Sequence, residues 1–428
     1  MKCNTNKICI NSKLIKKDDL FIAIKGLNFD GHNYIDEAFS NGAIAALISD
    51  SKFKNKNTIL VDDTKKSLAD ISTFILKKFN PFVIAITGSN GKTTTKEIIN
   101  SILISNFDKK RILATYGNFN NDIGLPLTIF NLKEKHTHLI LEMGMNHANE
   151  IDYLAKIAPP NIALITNIGE AHIENFGNRK AIAKEKKDIL LNLKKNGVAI
   201  LPIDSDFFNF LSKDVKNEKI LSFGMSDEAD ISCEFLEEKK VLIKTPTFDI
   251  KIKPKLLGYN NVSNILAAVA CAYILKIDVK RIKEGIENVK PMPGRLELKS
   301  GIKNTFIIDD TYNANPCSFK LAIDVLKDFE GKKILVIGDM AELGEDSLIY
   351  HQELARSIKE AKIDITLAIG KYSKELIKLL EEENVWFENK EDLINHLISC
   401  MKNTTILVKG SRSMKMEEVV KKIIKIVD

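Results

Sequence analysis

The sequence predicts an α/β protein of three domains, and three observations carry that expectation. At 428 residues the chain is too long for one ordinary domain. Apolar runs of four to six residues ending in glycine recur along it, as expected of parallel strands that are buried on both faces and feed a loop and then a helix. Two Pro/Gly punctuations, "NPF" at 80–82 and "KPMPGRLE" at 290–297, divide the chain. The expected division is 1–79, a small N-terminal α/β domain; 80–295, a central domain with a mostly parallel sheet; and 296–428, a Rossmann-like C-terminal domain.

In the first block "LFIAI" and "AIAALIS" read as strands, and "TKKSLADISTFILKKF" reads as an amphipathic helix with a Thr N-cap. In the second, "FVIAI", "HLILEMG" and "NIALITNIG" read as parallel strands, and "NNVSNILAAVACAYIL" as a helix with small residues on one face. In the third, "TFIIDD", "KKILVIGDM", "DITLAIG" and "TTILVKGS" read as strands separated by helices such as "SLIYHQELARSIKEA". No G-x-G-x-x-G follows any of them, so dinucleotide binding is not indicated.

The bulk properties exclude several classes. Net charge is +6, but 63 basic and 57 acidic residues are thoroughly mixed and only 7% are aromatic, which argues against a nucleic-acid partner. No run approaches the ~18 apolar residues of a membrane span, and the N-terminus "MKCNTNKICINSKLIKK" lacks a signal-peptide core. A cytoplasmic protein, not membrane-embedded, is expected. The cysteines (Cys3, Cys9, Cys233, Cys271, Cys317, Cys400) form no C-x-x-C pair and read as reduced, buried thiols.

The chemistry-bearing stretch is "IAITGSNGKTTTKEI", residues 84–98. A strand runs into a glycine turn and then into Lys-Thr-Thr opening a helix, which is the form of a phosphate cradle. Gly88 and Gly91 let the backbone approach, Ser89 and Asn90 lie between them, Lys92 faces β- and γ-phosphates, and the Thr93 hydroxyl suits Mg2+, with Thr94 following. The long Walker pattern would need glycine at Ile86, so the loop is a shortened variant. It predicts binding of a nucleoside triphosphate, ATP in the first instance. Glu142 and His172 follow the next strands, and strand C-terminal ends share one crevice in an open α/β sheet. Thr93, Glu142 and His172 are therefore candidates to converge on metal and triphosphate, with a helix-start charge and a loop residue as the plainer readings of Glu142 and His172. His136 and His138 precede their strand and read as structural.

Ten stretches across all three blocks carry a resemblance: "LFIAIKGLNFDGHNYI", "TGSNGKTTTKE", "GNFNNDIGLPLT", "LEMGMNHANEI", "TNIGEAHIENFG", "GYNNVSNILAA", "MPGRLE", "DDTYNANPCS", "VIGDMAELG" and "LVKGSRSMKMEEVV". The chain resembles the Mur ligase family, and within it the branch that adds a D-alanyl-D-alanine dipeptide. "EMGM", "YNANP", "GDMAELG" and "KGSRSMKME" are the branch-specific parts, and the D-N-P-R motif of the third-residue-adding branch is absent. Where the family has Asp-Ser-Arg or Asp-Thr-Arg near its start, this chain has Asn11-Ser12-Lys13. Where it has His-Asn after the central domain's last loop, this chain has Asn260-Asn261.

The resemblance implies a UDP-substrate domain, an ATPase domain and an acceptor domain. It also implies ATP-dependent amide bond formation in peptidoglycan precursor synthesis. A UDP-N-acetylmuramoyl-tripeptide carboxylate would take the γ-phosphoryl group, and the D-Ala-D-Ala amine would displace phosphate from the acyl phosphate. That amine, with a pKa of about 8, is roughly one-tenth free base at neutral pH and needs no strong general base. By correspondence, Lys92, Glu142, His172 and Lys186 are catalytic; Thr93, Glu142, His172 and Lys186 hold two Mg2+ ions, Lys186 as a carbamate made from CO2. Without the resemblance, "AIAKEKKDIL" would read as a solvated charge run. Asn261, Asn264, Arg295 and Asp310 correspond to ATP-site positions. Ser12, Asn118, Asn120 and Asn121 correspond to UDP-substrate contacts, and Lys409, Ser411 and Arg412 face the acceptor. A monomer is expected. A sister amide ligase, either third-residue-adding or folylpolyglutamate-type, and a non-catalytic sensor of UDP-muramyl peptides are the competing readings. "GLNFDGHNYI" opposes the folate branch.

Overall fold

The computed structural model describes residues 7–26, 28–213, 215 and 219–425; Cys3 and Leu27 of "GLNFDGHNYI" lie outside them. Four strands, β1 (Ile8–Cys9), β2 (Leu20–Ile22), β3 (Ala45–Ile48) and β4 (Thr58–Leu60), form a parallel sheet in that order. The central block holds β5 (Phe82–Thr87), β6 (Ile112–Ala114), β7 (His138–Glu142), β8 (Ile162–Ile165), β9 (Val198–Pro202) and β10 (Lys219–Phe223). They pair in parallel in the order β10-β9-β8-β5-β7-β6. An antiparallel meander that the sequence reading did not anticipate follows: β11 (Ser232–Leu236), β12 (Lys240–Lys244) and β13 (Asp249–Ile252). The last block contains β14 (Glu297–Gly301), β15 (Thr305–Asp310), β16 (Lys332–Gly338), β17 (Ile365–Ile369), β18 (Val385–Phe387) and β19 (Thr404–Lys409), ordered β14-β15-β19-β16-β17-β18. Only β14 runs antiparallel to its neighbour there, so this sheet is mixed.

The central sheet is buried on both faces, which is why its strands are continuous apolar runs rather than alternating ones. On one face the helices Lys92–Asn106, Tyr259–Ile274 and Val279–Asn288 pack with the meander over Ile84, Ile86 and Ile140. On the other, Val83, Ala85, Leu139 and Leu141 meet the helices Gly124–Ile129, Glu150–Ile157 and Arg179–Leu191. The helix Thr64–Phe79 serves two cores: Leu68 packs on the N-terminal sheet while Ala69 and Leu76 join the central cluster.

That helix also corrects one reading. Its N-cap is Asp63, whose carboxylate accepts from Lys65 N at 2.7 Å and Lys66 N at 3.1 Å. Thr64 is the first helical residue, and its buried hydroxyl donates to Ala23 O. An acidic cap compensates the exposed N–H groups and the helix dipole better than a hydroxyl does. The helix stops at Asn80, which takes the left-handed conformation ahead of Pro81. The cysteine reading holds only in part. Cys233 and Cys271 are buried, whereas Cys9, Cys317 and Cys400 are half-buried, and all five are free thiols.

The contact between the helices Lys92–Asn106 and Val279–Asn288 leaves no room for a side chain at Gly285. A Cβ there would lie 2.4 Å from Ile102 Cα, a backbone atom that cannot swing away. Gly285→Ala is therefore expected to destabilise the protein by about 1–3 kcal/mol, the range for overpacking a close contact. Denaturant unfolding followed by circular dichroism measures this, and a variant as stable as the parent would contradict the packing.

Candidate active site

The register of the central sheet brings three strand ends to one edge: Ile86 pairs with Glu142, and Thr87 with Ile165. The loop after β5 then turns into the helix that begins at Lys92. Both glycines are sterically required. A Cβ on Gly88 (φ +150°) would lie 1.8 Å from Thr166 Oγ1, and one on Gly91 (φ +80°) would lie 2.3 Å from Asn264 Oδ1. The loop is pinned by the residues that follow β8, the neighbour of β5: Ser89 N donates to Asn167 O, Asn90 N to Asn167 Oδ1, and Thr166 Oγ1 to Asn90 O at 2.6 Å. Lys92 Nζ donates to Gly88 O at 2.7 Å. Desolvation lowers the Lys92 pKa, the Glu142 charge opposes that shift, and Arg295 adds to it.

Glu142 is 3% exposed at the end of β7, and both carboxylate oxygens are engaged. Oε2 accepts from Thr93 Oγ1 at 2.8 Å, and Oε1 accepts from Asn120 Nδ2 at 2.8 Å. Arg295 Nη2 donates to Thr93 Oγ1 at 3.1 Å, and its guanidinium lies 3.9 Å from the Tyr312 ring centre. Asn264 bridges Thr95 Oγ1 and Asn261, and Asn261 Nδ2 donates to Leu257 O. These two amides thus brace the phosphate-loop helix as well as lining the cleft.

The helix Arg179–Leu191 resolves its run of lysines by burial. Lys184 is exposed; Lys187 is buried, with Nζ donating to Phe210 O; Lys186 is 1% exposed and reaches Met145 Sδ at 3.5 Å. Burial, and secondarily the charge of Lys92, holds the Lys186 pKa well below the ordinary lysine value, against the pull of Glu185. Glu185 is itself occupied, accepting from Asn149 N and Ile151 N at the start of the helix Glu150–Ile157. His172 sits in the left-handed conformation, and its Nδ1 lies 2.7 Å from Glu342 Oε2. That contact lowers the Glu342 pKa.

The C-terminal block closes the other wall of a cleft of about 500 Å³. Register pairs Asp310 with Lys409, and the buried Lys409 Nζ donates to Asp310 Oδ2 at 2.6 Å and to Asn313 O at 2.9 Å. Asp310 Oδ1 accepts from Leu296 N. Asn315 Nδ2 donates to Asn90 Oδ1 at 2.8 Å. Ser89, Asn90, Gly91, Lys92, Thr93, Thr94, Asn118, Asn120, Asn121, Glu142, His172, Lys186, Asn261, Asn264, Arg295, Asp310 and Lys409 all line this cleft. Asn121 also caps the helix Gly124–Ile129, accepting from Gly124 N.

Three expected site residues lie elsewhere. Ser12 is 6% exposed and its hydroxyl donates to Glu37, inside the N-terminal block. Ser411 is buried, and its Oγ accepts from Ala341 N. Arg412 points to the surface and pairs with Glu417 at 3.1 Å. His136 and His138 are outside the cleft, as read; His138 packs against Phe107. Tyr312, Asn315, Asn167 and Glu342 were not assigned roles from sequence, although each falls within or beside a quoted motif.

The donor set is chemically selective. Thr93 and Glu142 present hydroxyl and carboxylate oxygens together, which suits Mg2+. Lys186 as a free amine and His172 held by Glu342 do not make an oxygen site, and among the described residues no cluster of three His, Cys, Asp or Glu side chains forms one.

Three family models match in tandem: the Mur ligase family catalytic domain over 4–76, the Mur ligase middle domain over 86–272, and the Mur ligase glutamate ligase domain over 294–412. The UDP-N-acetylmuramoyl-tripeptide–D-alanyl-D-alanine ligase of Haemophilus influenzae is 37% identical over 424 residues, covering 97% of this chain and 92% of that one. The chain belongs to the Mur ligase family. Among solved structures, MurF from Acinetobacter baumannii superposes with a TM-score of 0.90 at 33% identity, covering 97% of this chain and 92% of the other. The MurF ligase of Thermotoga maritima in complex with ADP does so with 0.87 at 31%, covering 99% and 98%. In this chain the phosphate loop and residues of the C-terminal block line one cleft.

Lys186 carries a testable energetic consequence. Its folded pKa lies below the 10.5 of an unhindered lysine, so the charged form is disfavoured in the fold. The residue thus costs stability below that lowered pKa, and the cost is relieved as pH rises from there toward 10.5. In CO2-depleted buffer Lys186→Met is expected to stabilise the protein, by more at pH 7 than at pH 9.5. Urea unfolding at both pH values checks this, and an equal or smaller gain at pH 7 would contradict the burial argument.

Proposed function

We propose that this Mur ligase joins D-alanyl-D-alanine to UDP-N-acetylmuramoyl-tripeptide in an ATP-dependent reaction, giving UDP-N-acetylmuramoyl-pentapeptide, ADP and phosphate. One observation carries the reading: the phosphate loop of the central block and the Asp310–Lys409 strand ends of the C-terminal block face each other across one cleft. The full-length similarity to ligases bearing that name supports the choice of substrates.

The residues fit two steps. The tripeptide carboxylate oxygen attacks the γ-phosphorus, its P–O bond to ADP breaks, and an acyl phosphate forms. The dipeptide amine then attacks the acyl carbon, loses a proton, and phosphate departs with the C–O bond electrons. Both steps need charge neutralisation and positioning more than covalent help. Lys92 turns from Gly88 O toward the phosphates. The loop N–H groups hold the phosphate oxygens, and Thr93 and Glu142 are the residues that would hold Mg2+, which would supply positive charge to the transferring group. Arg295, stacked on Tyr312, together with Asp310, Asn261 and Asn264, frames the nucleotide. Asn118, Asn120 and Asn121 face the UDP-sugar side. Lys409, with Ser411 and Arg412 at the end of its strand, serves the acceptor side, Ser411 by shaping the loop and Arg412 as a rim charge.

Lys186 fits a carbamate role better than an ammonium one. It is buried beside Met145 with its pKa lowered, so the neutral amine that CO2 requires is more populated than the roughly one in two thousand of an ordinary lysine at pH 7. The amine nitrogen would bond to the CO2 carbon as a proton leaves, and the resulting carbamate, with His172, would be able to hold a second Mg2+. The blocks 1–79, 80–295 and 296–428 are assigned to UDP-substrate, ATP and acceptor binding. The enzyme is proposed to act as a cytoplasmic monomer; no helix of the described residues is long and apolar enough to cross a membrane.

Mass spectrometry of the product formed from ATP, D-Ala-D-Ala and a UDP-muramyl tripeptide tests the reaction. Phosphate release is expected to depend on the dipeptide, and rapid release without it would favour an ATPase or a sensor. Lys92→Ala is expected to fold and lose turnover, because Lys92 contributes charge at the cleft rather than core packing. Lys186→Ala is expected to be nearly inactive and partly rescued by acetate, with Lys184→Ala retaining most activity. If the Lys186 and Lys184 variants were equally active, the carbamate assignment would be wrong.

A further inference from the structure

We infer that Asn315 of the C-terminal block is a positioning residue for phosphoryl transfer. It acts by fixing the side-chain orientation of Asn90 in the phosphate loop. The argument starts from a helix cap. Asn315 is the N-cap of the helix Pro316–Lys327: its Oδ1 accepts from Ser318 N at 2.9 Å, and Ser318 Oγ accepts from Asn315 N at 2.9 Å. A carboxamide has one acceptor end and one donor end. With the oxygen committed to the cap, the Asn315 NH2 must face the other way, and there it donates to Asn90 Oδ1 at 2.8 Å.

The chain of constraint continues into the phosphate loop. Because Asn90 Oδ1 faces a donor, Asn90 Nδ2 is turned to the opposite side. The backbone groups of Asn90 are already spent, N on Asn167 Oδ1 and O on Thr166 Oγ1 and Asn167 Nδ2. Nδ2 is the one remaining polar group. It is buried without a hydrogen-bond partner, on a residue that lines the cleft between Gly88 and Lys92. A buried donor left unpaired costs free energy, and the loop around it otherwise presents N–H groups for anionic oxygen. Flipping the Asn90 amide would set two NH2 groups against each other. Flipping both amides would break the cap. The helix cap of one block therefore dictates which end of an amide the other block shows to its ligand.

This inference rests on the proposed ATP-dependent reaction and adds a residue to it. When the C-terminal block is in place, Asn90 offers its N–H to an oxygen of the terminal phosphate. When that block swings away, the amide is free to rotate and the donor is no longer fixed. Asn315 so makes the phosphate grip depend on closure.

The test uses Asn315→Ser, Asn90→Ala and the double variant in the full-length enzyme. Serine is a competent N-cap, so the helix is retained while the Nδ2 donor is lost. Asn315→Ser is expected to lower kcat by about 10- to 100-fold, the worth of a hydrogen bond to a charged group, with the same melting temperature as the parent. The double variant is expected to be no slower than Asn90→Ala alone. Binding gives a second readout that needs no acceptor. The preference for a non-hydrolysable ATP analogue over ADP, measured by calorimetry, should shrink in Asn315→Ser to the value in Asn90→Ala. Effects that multiply in the double variant, or an unchanged nucleotide preference, would overturn the inference. A parent enzyme that releases no phosphate in response to D-Ala-D-Ala would instead sink the reaction, while the binding comparison still judges the Asn90–Asn315 link.

Discussion

Glu142 is the group on which the rest of the cleft depends. A carboxylate at 3% exposure is too costly to leave unpaired, and its two oxygens are met from two different directions. Thr93 comes from the helix that opens the phosphate loop and Asn120 from the loop after β6. One buried anion therefore fixes the distance between the nucleotide side of the cleft and the loop assigned to the UDP substrate. The anion is held in turn by backbone: Glu142 N donates to Thr115 Oγ1, and Thr115 O accepts from the buried ammonium of Lys96. The helix Lys92–Asn106 is thus tied to the segment after β6 twice, from Thr93 through Glu142 and from Lys96 directly to Thr115.

The contacts between the central and C-terminal blocks at the cleft are of a different character. Asn315 touches Asn90, and His172 meets Glu342. Each is a polar contact of small net worth in water, unlike the apolar seams inside each block. That suits the proposed reaction, in which the cleft admits two substrates and then excludes water from an acyl phosphate. Within "KPMPGRLE", Leu296 takes the left-handed conformation between the helix Val279–Asn288 and β14. The Glu342 carboxylate has its pKa lowered by His172, so its share of the closed arrangement is present above the usual carboxylate range. It is lost as pH falls through the lowered value.

Much of this was legible from the chain because the parallel strands are buried on both faces and announce themselves as apolar runs. The meander β11–β13 was not, since its strands alternate charged and apolar residues such as Asp249-Ile250-Lys251-Ile252, which also reads as a polar loop. The phosphate loop was legible at every position because its glycines answer to steric demands that few sequences satisfy. The orientation of Ser12 was not legible, for the opposite reason. A short motif at the start of a chain says nothing about which side of a 3₁₀ turn faces out, and here the hydroxyl turns inward to Glu37. Arg412 lies three residues beyond Lys409, the last paired residue of its strand, and it pairs with Glu417 at the surface.

The lysines show what sequence alone could not rank. Three are almost fully buried at or near the cleft: Lys96, Lys186 and Lys409. Lys96 has Glu97 at 2.7 Å and a carbonyl, and Lys409 has Asp310 at 2.6 Å and a carbonyl. Each is a charge with its countercharge, and each ties two segments together. Lys186 has neither. Its neighbour at contact distance is a thioether, and the adjacent carboxylate of Glu185 is spent on backbone N–H groups. In the string "AKEKKDIL" these lysines look alike, and a charge run is normally a solvated face. Folding separates them: Lys184 goes to water, Lys187 to a carbonyl and a ring, and Lys186 to a buried place on the cleft wall beside Met145. Desolvating an ammonium without an anion costs stability, and that cost at Lys186 is what the proposed carbamate would remove.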